Sequence, residues 1–542
     1  MDPASTDPGQ QVRAALLQAV AGESGSGLTS SEATSLRCWF HSEYGEKADP
    51  AGALYQEMLG WTVRADGAGN LVVKRERKVH RATGAYYTEN RVVGYMLSRA
   101  GEYLPGLRDV IDPACGSGAF LAAFSGRPVR LVGVDADPVA LAMCGRNVPS
   151  AELVHADALL EDVPSGFDLC IGNPPYISSG LRGAASHDRE LQRQLKARYP
   201  RTAQYKLNTY PLFIERGLQL VREGGILGYI VPDSFLSGRY FEGLRRLLLE
   251  QTLLELTLVC QDFWQHGRVG QSVILFVRKG APPPGHQVLI RTCRNVDELE
   301  DTGFTGVPPH ELAWGPLVRF PLITDAREQA LVLAMEAAAA TSLGQLVQSY
   351  SGLIARQGQQ SLLRSANPGL HGPWGRLLRS GKEIDRYRLV WEGEEVCLDP
   401  GLIKSGGCLP YYRNPKILLR QTADCLRAVY DEEGYYCLNN IHLLIPRHGE
   451  VPVRALLGLI NSEPVNRFYR AMTMEAGRLY PQVDLDLLEA LPIPVLPTDA
   501  AKELDRLVRA RESAAPGEAA QLDEAIDDMA RGLYAISRGG TW

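Results

Sequence analysis

The sequence of 542 residues lacks several features that would assign it to a common class. It has no apolar run long enough to span a bilayer, and its first residues are acidic and polar rather than those of a signal peptide. Its ten cysteines show no C-x-x-C pairs and no secreted-domain density. We therefore expect an intracellular protein with reduced cysteines and no membrane contact.

An excess of basic charge is also missing, because the formal net charge is −6. Any DNA-binding surface must therefore be a local patch rather than a global field. The basic cluster at 74–81 is a candidate, although such clusters are more often solvated faces than nucleic-acid contacts. The chain length predicts about three domains.

A dinucleotide-binding motif of the Gly-x-Gly-x-x-Gly type is absent as well. Gly116 and Gly118 follow a predicted strand at 107–111, but Leu121 occupies the place of the third glycine. Asp112, just before this turn, would repel a pyrophosphate and suits a ligand with a positive end and no phosphates. The pattern favours S-adenosylmethionine over NAD.

Acidic residues also follow the next two predicted strands. Asp135 ends the strand at 129–134, and Asp157 follows the strand at 152–154. A carboxylate in the first position can hold ribose hydroxyls, and one in the second can accept a hydrogen bond from an adenine amino group. Each alone could be a helix N-cap. In series at the ends of parallel strands they indicate an adenosine-bearing cofactor.

The fourth predicted strand, 168–171, runs into Asn173-Pro174-Pro175-Tyr176. The two prolines remove two backbone N–H groups, which leaves the Asn173 amide and the Pro174 carbonyl as acceptors. These acceptors suit an amino group on a planar base, and the Tyr176 ring can stack on that base. A strand followed by a proline-rich turn explains the tetrapeptide equally well in isolation.

The chain downstream predicts the rest of one sheet. The polar segment 177–206 is either a substrate-facing flap or an exposed helix at 186–198. A helix follows at 208–221. Three further strands bring the sheet to about seven: 224–231, 253–259 and 271–278. Phe263 lies between the last two, and for this residue alone core packing is the simpler interpretation.

In their order these motifs resemble the gamma-class amino-methylating DNA methyltransferases, the TaqI-like group that acts on adenine N6. The similarity covers 81–279, and 411–494 is more loosely similar to the C-terminal recognition domain of that family. It implies an α/β fold: a Rossmann-like, seven-stranded class I S-adenosylmethionine-dependent methyltransferase domain, a C-terminal mixed α/β target-recognition domain, and a short helical N-terminal extension.

The resemblance also implies roles for individual residues, and no metal. Asn173 and Pro174 would accept the hydrogens of the target amino group, Pro175 completes the loop, and Tyr176 and Phe263 would sandwich the base. The expected cofactor-binding residues are Tyr87, Thr88, Asp112, Ala114, Cys115, Gly116, Gly118, Asp135, Ala136, Asp157, Ala158, Asn173 and Phe213. Among these, Thr88 with Tyr87 would close over the methionine end, and Phe213 would pack on the cofactor adenine.

The predicted organisation has five parts. They are an N-terminal helical extension (1–80), a catalytic domain (81–285), a connecting region (286–340), a target-recognition domain (341–498) and a C-terminal helical tail (499–542). The resemblance further implies a cytoplasmic, nucleoid-associated prokaryotic protein. Its expected partner is double-stranded DNA, methylated by base flipping in a restriction–modification or phage-defence system. A separate nuclease or other defence subunits are further candidate partners.

Two other functions stay open at this point. The Asn-Pro-Pro-Tyr loop could serve another amino nitrogen: cytosine N4, a guanine in RNA, or a glutamine in a protein. Asn rather than Ser at position 173 favours adenine by family resemblance, and the long C-terminal region favours DNA. A non-catalytic DNA-recognition subunit of a defence complex is the second alternative, and it would require a damaged site.

Overall fold

The computed structural model describes residues 61–65, 71–75, 88–177, 187–205, 207–261, 270–300, 303–365, 373–406, 409–423, 425–447, 451–473 and 482–536. The chain divides into two compact units, Met1–Phe320 and Pro321–Trp542. Among the described residues, none of the helices combines the length and the apolar character needed to cross a membrane.

The elements of the first unit follow in chain order. Its strands are β1 (Trp61–Ala65), β2 (Leu71–Arg75), β3 (Asp109–Asp112), β4 (Arg130–Asp135), β5 (Glu152–His155), β6 (Phe167–Gly172), β7 (Val221–Pro232), β8 (Thr252–Val259), β9 (Ser272–Arg278), β10 (Val288–Cys293) and β11 (Thr305–Val307). Its helices are α1 (Asn90–Tyr103), α2 (Ala119–Ala122), α3 (Pro138–Asn147), α4 (His187–Arg198), α5 (Thr209–Leu220), α6 (Ser234–Ser237), α7 (Glu242–Glu250) and α8 (Pro309–Leu312).

A nine-stranded sheet forms the core of this unit, in the order β11-β10-β8-β9-β7-β6-β3-β4-β5. Strands β3 to β7 pair in parallel, whereas β9 runs antiparallel to both β7 and β8. Seven of the nine strands, β3 to β9, are those that the sequence predicts. The Rossmann-like α/β expectation is therefore confirmed.

Strand β6 lies at the centre of the sheet because its sequence is almost continuously apolar, and all six of its residues are buried. Asp168 is the exception within it. Its carboxylate accepts hydrogen bonds from the backbone N–H groups of Arg108 (2.8 Å) and Asp109 (3.1 Å) and from Arg222 Nε (2.7 Å). This carboxylate therefore joins strands β6 and β3 at the edge opposite the predicted site.

The sheet continues beyond 285, into the segment 286–340 that the sequence predicts as a connecting region. Strand β10 pairs in parallel with β8, and β11 pairs with β10, which gives two more strands than expected. Arg291 interrupts the apolar pattern of β10, yet it is buried, with Nη1 donating to the Leu299 carbonyl (2.8 Å). Its guanidinium also lies 4.9 Å from the Tyr95 ring centre. The buried arginine therefore explains why the apolar pattern of the sequence did not predict β10.

The N-terminal part also differs from a purely helical extension. Strands β1 and β2 form an antiparallel pair inside 1–80. The helical patterns predicted at 12–20 and 35–60 lie outside the described residues. Helix α4 agrees with the helical alternative for the polar segment after the Asn-Pro-Pro-Tyr loop.

The elements of the second unit are shorter and more numerous. Its strands are β12 (Ala339–Ser342), β13 (Val347–Ser351), β14 (Ile354–Ala355), β15 (Leu363–Ser365), β16 (Trp374–Leu378), β17 (Ile384–Asp385), β18 (Arg388–Leu389), β19 (Glu394–Cys397), β20 (Ile403–Ser405), β21 (Lys416–Arg420), β22 (Ala428–Asp431), β23 (Tyr436–Cys437), β24 (Ile441–Pro446) and β25 (Pro492–Pro494). Its helices are α9 (Ala326–Ala338), α10 (Leu343–Leu346), α11 (Val453–Asn461), α12 (Glu463–Thr473), α13 (Leu485–Glu489), α14 (Thr498–Ser513) and α15 (Pro516–Leu533).

Two four-stranded sheets organise the second unit, in the orders β13-β24-β21-β22 and β15-β19-β16-β23. Helices from both ends of its sequence pack into it: α9 contacts α12 and β25, and α14 contacts α11. A Cβ placed at Gly458 of α11 would lie 3.1 Å from Val508 of α14, so these two helices pack closely. The segments predicted as a connector and a tail are thus partly core of this unit.

Candidate active site

The predicted site residues meet where the strand order reverses. Strands β3 and β6 are neighbours, but the chain continues from β3 to one side and from β6 to the other. Ligands of open parallel sheets bind at such a switch point. A Cβ placed at Gly172 would lie 2.6 Å from Asp112 Oδ1, so the bare glycine lets this carboxylate lie against the loop that carries Asn173.

Asp112 is a buried carboxylate, 2% exposed, and its Oδ1 accepts one hydrogen bond, from Ala114 N (3.1 Å). Burial, together with the nearby charge of Asp135, raises the pKa of Asp112 to about 8. Within the part of the chain that the structure describes, no cation contributes to this pKa. The position therefore suits a positively charged ligand group.

Asp135 organises the glycine-rich turn. Its Oδ2 accepts from Gly116 N and its Oδ1 from Asp137 N, each at 2.9 Å. Gly116 and Gly118 have φ angles of 53° and 88°, which glycine adopts without strain. A Cβ at Gly118 would also lie 2.7 Å from Cys144 Sγ, so the turn rests directly on α3. Burial raises the pKa of Asp135 as well.

Of the other predicted cofactor residues described next, four follow the ends of β3, β4 and β5, and Phe213 lies in α5. Cys115 is buried, with its N–H bonded to Val134 O (2.9 Å), and Ala136 is exposed. Asp157 Oδ1 accepts from Leu159 N (2.9 Å), so this carboxylate caps a turn, as the simpler interpretation predicts. Two further residues are buried: Ala158 after β5 and Phe213 in α5.

The Asn173 amide is held by two side chains, one distant in sequence (Thr88) and one within the same loop (Tyr176). Its Nδ2 donates to Oγ1 of the buried Thr88 (3.1 Å), which fixes which end of the amide is the acceptor. The Tyr176 hydroxyl lies within hydrogen-bond distance of both Asn173 Oδ1 (2.5 Å) and the Ile230 carbonyl (2.9 Å). Pro174 between them is buried.

The loop is also tied to the first turn of α5. Thr209 Oγ1 donates to the Pro175 carbonyl and accepts from Ile177 N (2.8 Å), and Thr209 N donates to Ile177 O (3.0 Å). The Tyr176 ring meets the edge of Tyr210 at a centroid distance of 6.2 Å. These contacts therefore fix the backbone of the loop that carries the two acceptors, the Asn173 amide and the Pro174 carbonyl.

The sequence predicts most of this cluster but not all of it. Thr88, Asp112, Asp135 and Asn173 are brought to one edge, whereas Tyr87 and Phe263 lie outside the described residues. The roles of Gly172, Thr209 and Tyr210 were not predicted. A glycine ending an otherwise apolar strand just before Asn173 was a signal for Gly172. Neither of the other two had one, because their contacts depend on how α5 packs.

Two family models match the chain. Residues 147–262 match the model described as Eco57I restriction-modification methylase. Residues 377–493 match the model described as TaqI-like C-terminal specificity domain. The first contains the Asn-Pro-Pro-Tyr loop, and the second lies within the second unit.

Individual proteins are similar over longer stretches. Type II methyltransferase M.TthHB8I of Thermus thermophilus is 29% identical over 425 residues, 76% of this chain and 91% of that protein. M.PaeR7I of Pseudomonas aeruginosa is 28% identical over 208 residues, 31% of this chain and 35% of that protein. Among solved structures, the type IIL restriction-modification enzyme MmeI with DNA has a TM-score of 0.53 at 12% identity, over 83% of this chain and 73% of MmeI.

The DrdV–DNA complex has the same TM-score and identity over 94% of this chain and 67% of DrdV, and at such identities the likeness concerns the fold alone. The sheet and helices of the first unit form a class I S-adenosylmethionine-dependent methyltransferase fold, and those of the second unit form a strand-rich domain. Together with the two family models, they confirm the resemblance. The chain is therefore similar to type II restriction–modification methyltransferases in its methylase region and to TaqI-like specificity domains in its C-terminal region.

Proposed function

We propose that this chain transfers a methyl group from S-adenosylmethionine to the N6 amino group of an adenine extruded from double-stranded DNA. The observation that carries the proposal is the Asn173 amide, oriented by Thr88 at the switch point beside Asp112. The similarity to two type II methyltransferases, M.TthHB8I and M.PaeR7I, supports it. The biological setting would be restriction–modification or phage defence, with any nuclease supplied separately.

The buried carboxylates fit the proposed cofactor, which supplies an electrophilic methyl group on a positively charged sulfur. Asp112 would pair with the ammonium of the methionine end, which would restore its ordinary ionisation. Asp135 would hold the ribose and Asp157 the adenine amino group, with Phe213 packed on that ring. Tyr87 and Thr88 would close over the methionine end, beside Ala114, Cys115, Gly116 and Gly118. Ala136 and Ala158 complete the set.

Asn173 and Pro174 would supply the catalytic acceptors. The lone pair of an aromatic amino group is delocalised into the ring, which makes the nitrogen a poor nucleophile. Hydrogen bonds from that group to Asn173 Oδ1 and the Pro174 carbonyl would draw the nitrogen toward tetrahedral geometry and stabilise the positive charge that develops on it. The rest of the rate would come from positioning. An amide oxygen has two lone pairs, so the Tyr176 hydroxyl and a substrate hydrogen can share Asn173 Oδ1.

A base inside a duplex cannot reach this crevice, so the target must leave the helix at a cost of a few kcal/mol. Stacking on Tyr176 and Phe263 would return about 1–3 kcal/mol per base. The half-buried Tyr176 ring fits this role, because its hydroxyl is anchored inward on Ile230. Replacing Tyr176 by Ala should weaken methylation and change the fluorescence of 2-aminopurine at the target position.

The test is methyl transfer to unmethylated genomic DNA by the purified chain. The DNA is then digested, and the modified nucleosides are identified by mass spectrometry. N6-methyladenine is the expected product, and base-modification sequencing gives the recognised site. N4-methylcytosine would replace the proposed target with its nearest alternative, and no transfer to DNA would refute the proposal.

The Asn173→Ala variant links that activity to the proposed loop. It should lower turnover by at least about a hundredfold, the usual cost of losing one preorganised charge-stabilising contact. Binding of S-adenosylmethionine, measured by calorimetry, should change little, because the carboxylates of β3 and β4 remain. Retained turnover in this variant would remove Asn173 from the mechanism.

A further inference from the structure

Two tyrosines on the surface of the first unit form an exposed aromatic pair. Tyr205 is 51% exposed and Tyr240 is 52% exposed, and their ring centres lie 5.5 Å apart at an interplanar angle of 56°. The guanidinium of Arg239 lies 5.6 Å from the centre of the Tyr240 ring. We call these three residues the Tyr205–Tyr240 platform. Large aromatic residues placed together in solvent usually mark a contact surface.

The backbone before Tyr205 is held in place by three contacts. A Cβ at Gly243, in the first turn of α7, would lie 2.1 Å from the Arg201 carbonyl oxygen, so only glycine allows this approach. The Arg201 guanidinium makes two hydrogen bonds to Glu250 at the end of α7, at 2.8 and 2.5 Å. Thr202 donates to Glu215 of α5 through both N–H (3.1 Å) and Oγ1 (2.6 Å). These contacts fix the backbone just before Tyr205, and they therefore help to hold its side chain at the surface.

Two ring contacts and one peptide connection link the platform to the Asn-Pro-Pro-Tyr loop. The edge of Tyr210 packs against Tyr176 at 6.2 Å, and Tyr210 in turn packs on Phe241 at 5.6 Å. Phe241 follows Tyr240 directly in the chain. The Tyr210 hydroxyl also bonds Ser234 Oγ (2.9 Å), which fixes the middle ring. Tyr240 therefore extends an aromatic series that begins at the residue proposed to stack on the target base.

We propose that the Tyr205–Tyr240 platform is a second nucleobase-binding site, which holds a nucleotide of the DNA next to the extruded target. The inference rests on the proposed function and extends it. Extruding one base leaves its neighbours and its former pairing partner without a stacking surface, and exposed aromatic faces supply one. Arg239 adds a positive charge that can contact the phosphate of the stacked nucleotide. Because the net charge of the chain is −6, such contacts must come from local basic residues.

The first test compares DNA binding in paired variants. The double variant Tyr205→Ala/Tyr240→Ala should raise the KM for an unmethylated duplex that contains the recognised site. We expect a rise of about tenfold, since base–aromatic stacking contributes about 1–3 kcal/mol per base. The Tyr205→Phe/Tyr240→Phe variant keeps both rings and should stay near wild type. Leu333→Ala removes an apolar side chain that is 58% exposed in the second unit and is the surface control. Affinity for S-adenosylmethionine should be unchanged throughout.

The second test locates the nucleotide directly. Duplexes with 5-iodouracil at each position around the target, on either strand, are irradiated with the full chain, and the adducts are mapped by mass spectrometry. An adduct on Tyr205 or Tyr240 at one position supports the site. Wild-type methylation with an unchanged KM in the alanine variant and no adduct would overturn the platform, while leaving the proposed function intact. Failure of the wild-type chain to methylate DNA would instead refute the proposed function on which the site rests.

Discussion

Two buried aspartates at strand ends, one in each unit, have opposite surroundings. Asp112 ends β3 and is 2% exposed, whereas Asp431 ends β22 and is 3% exposed. Asp431 accepts hydrogen bonds from three backbone N–H groups and lies 2.5 Å from Nζ of the buried Lys416. Asp112 accepts one, from Ala114, beside a second carboxylate. The two carboxylates are therefore alike in burial and differ in their partners, and only Asp112 has the unneutralised surroundings that the proposed cofactor-binding role requires.

Two asparagines repeat the contrast. Asn461 of the second unit is fully buried, and its amide pairs at both ends with the backbone of Ala428, each at 2.9 Å. Asn173 is held instead by the side chains of Thr88 and Tyr176. A backbone partner fixes an amide as part of the fold. Side-chain partners orient the half-buried Asn173 amide without tying it to the backbone, and this difference separates the candidate active site from the core of the second unit.

The largest expected effect comes from breaking the buried pair of the second unit. Asp431→Asn should destabilise that unit by about 3–5 kcal/mol, because it leaves Lys416 charged and buried without its partner. Hydrogen–deuterium exchange in β21 and β22 would localise the loss. The double variant Lys416→Met/Asp431→Leu removes both charges and should recover part of it.

Asp112→Asn is the matched control, the same chemical change at equal burial in the other unit. It should not lower stability at neutral pH, since it removes a carboxylate whose ionised form burial disfavours. Equal destabilisation by Asp112→Asn and Asp431→Asn would contradict the comparison.

The sequence predicts the contrast only in part. Strands β3 to β9 follow from apolar runs, and the carboxylates at or just after the ends of β3 to β5 follow from the acidic residues where those runs stop. The strand order that creates the switch point was not predicted. The hydrogen bond between Asn173 and Thr88 joins residues 85 positions apart, and no spacing rule gives such a contact. Strand β10 was missed because a buried arginine interrupts its apolar pattern. Sequence periodicity does not show which polar side chains the packing of the folded chain brings together.

The second expected effect is on cofactor binding. Asp112→Asn should weaken S-adenosylmethionine binding by about ten- to a hundredfold, since hydrogen bonds to charged groups contribute about 1.5–3 kcal/mol. Calorimetry on the folded variant measures this directly. Asp431→Leu/Lys416→Met, in the unit that lacks the crevice, should bind with wild-type affinity. Wild-type affinity in Asp112→Asn would show that this carboxylate does not face the cationic end of the ligand.

The third expected effect is a pH dependence of stability specific to Asp112. Its pKa is raised from 3.8 to about 8 on folding, so the stability it contributes is complete below pH 4 and is lost as the pH rises toward 8. The slope is at most about 1.4 kcal/mol per pH unit in that window. The difference in unfolding free energy between wild type and Asp112→Asn should therefore shrink, or change sign, from pH 5 to pH 8. A difference independent of pH would show that Asp112 keeps an ordinary pKa.

The smallest expected effect concerns the orientation of the Asn173 amide. Thr88→Val keeps the shape of the buried side chain but removes the acceptor for Asn173 Nδ2, so the amide can turn and present its N–H group to the substrate. We expect kcat to fall by about three- to tenfold, the usual net contribution of one hydrogen bond, and Thr88→Ser to restore it. If Thr88 acted only by closing over the cofactor, the KM for S-adenosylmethionine would rise and kcat would not change. A fall in kcat at saturating cofactor and DNA therefore shows that Thr88 orients the Asn173 amide rather than only contacting the cofactor. Asn461 allows no such test, because the backbone groups that hold its amide are not removed by a substitution.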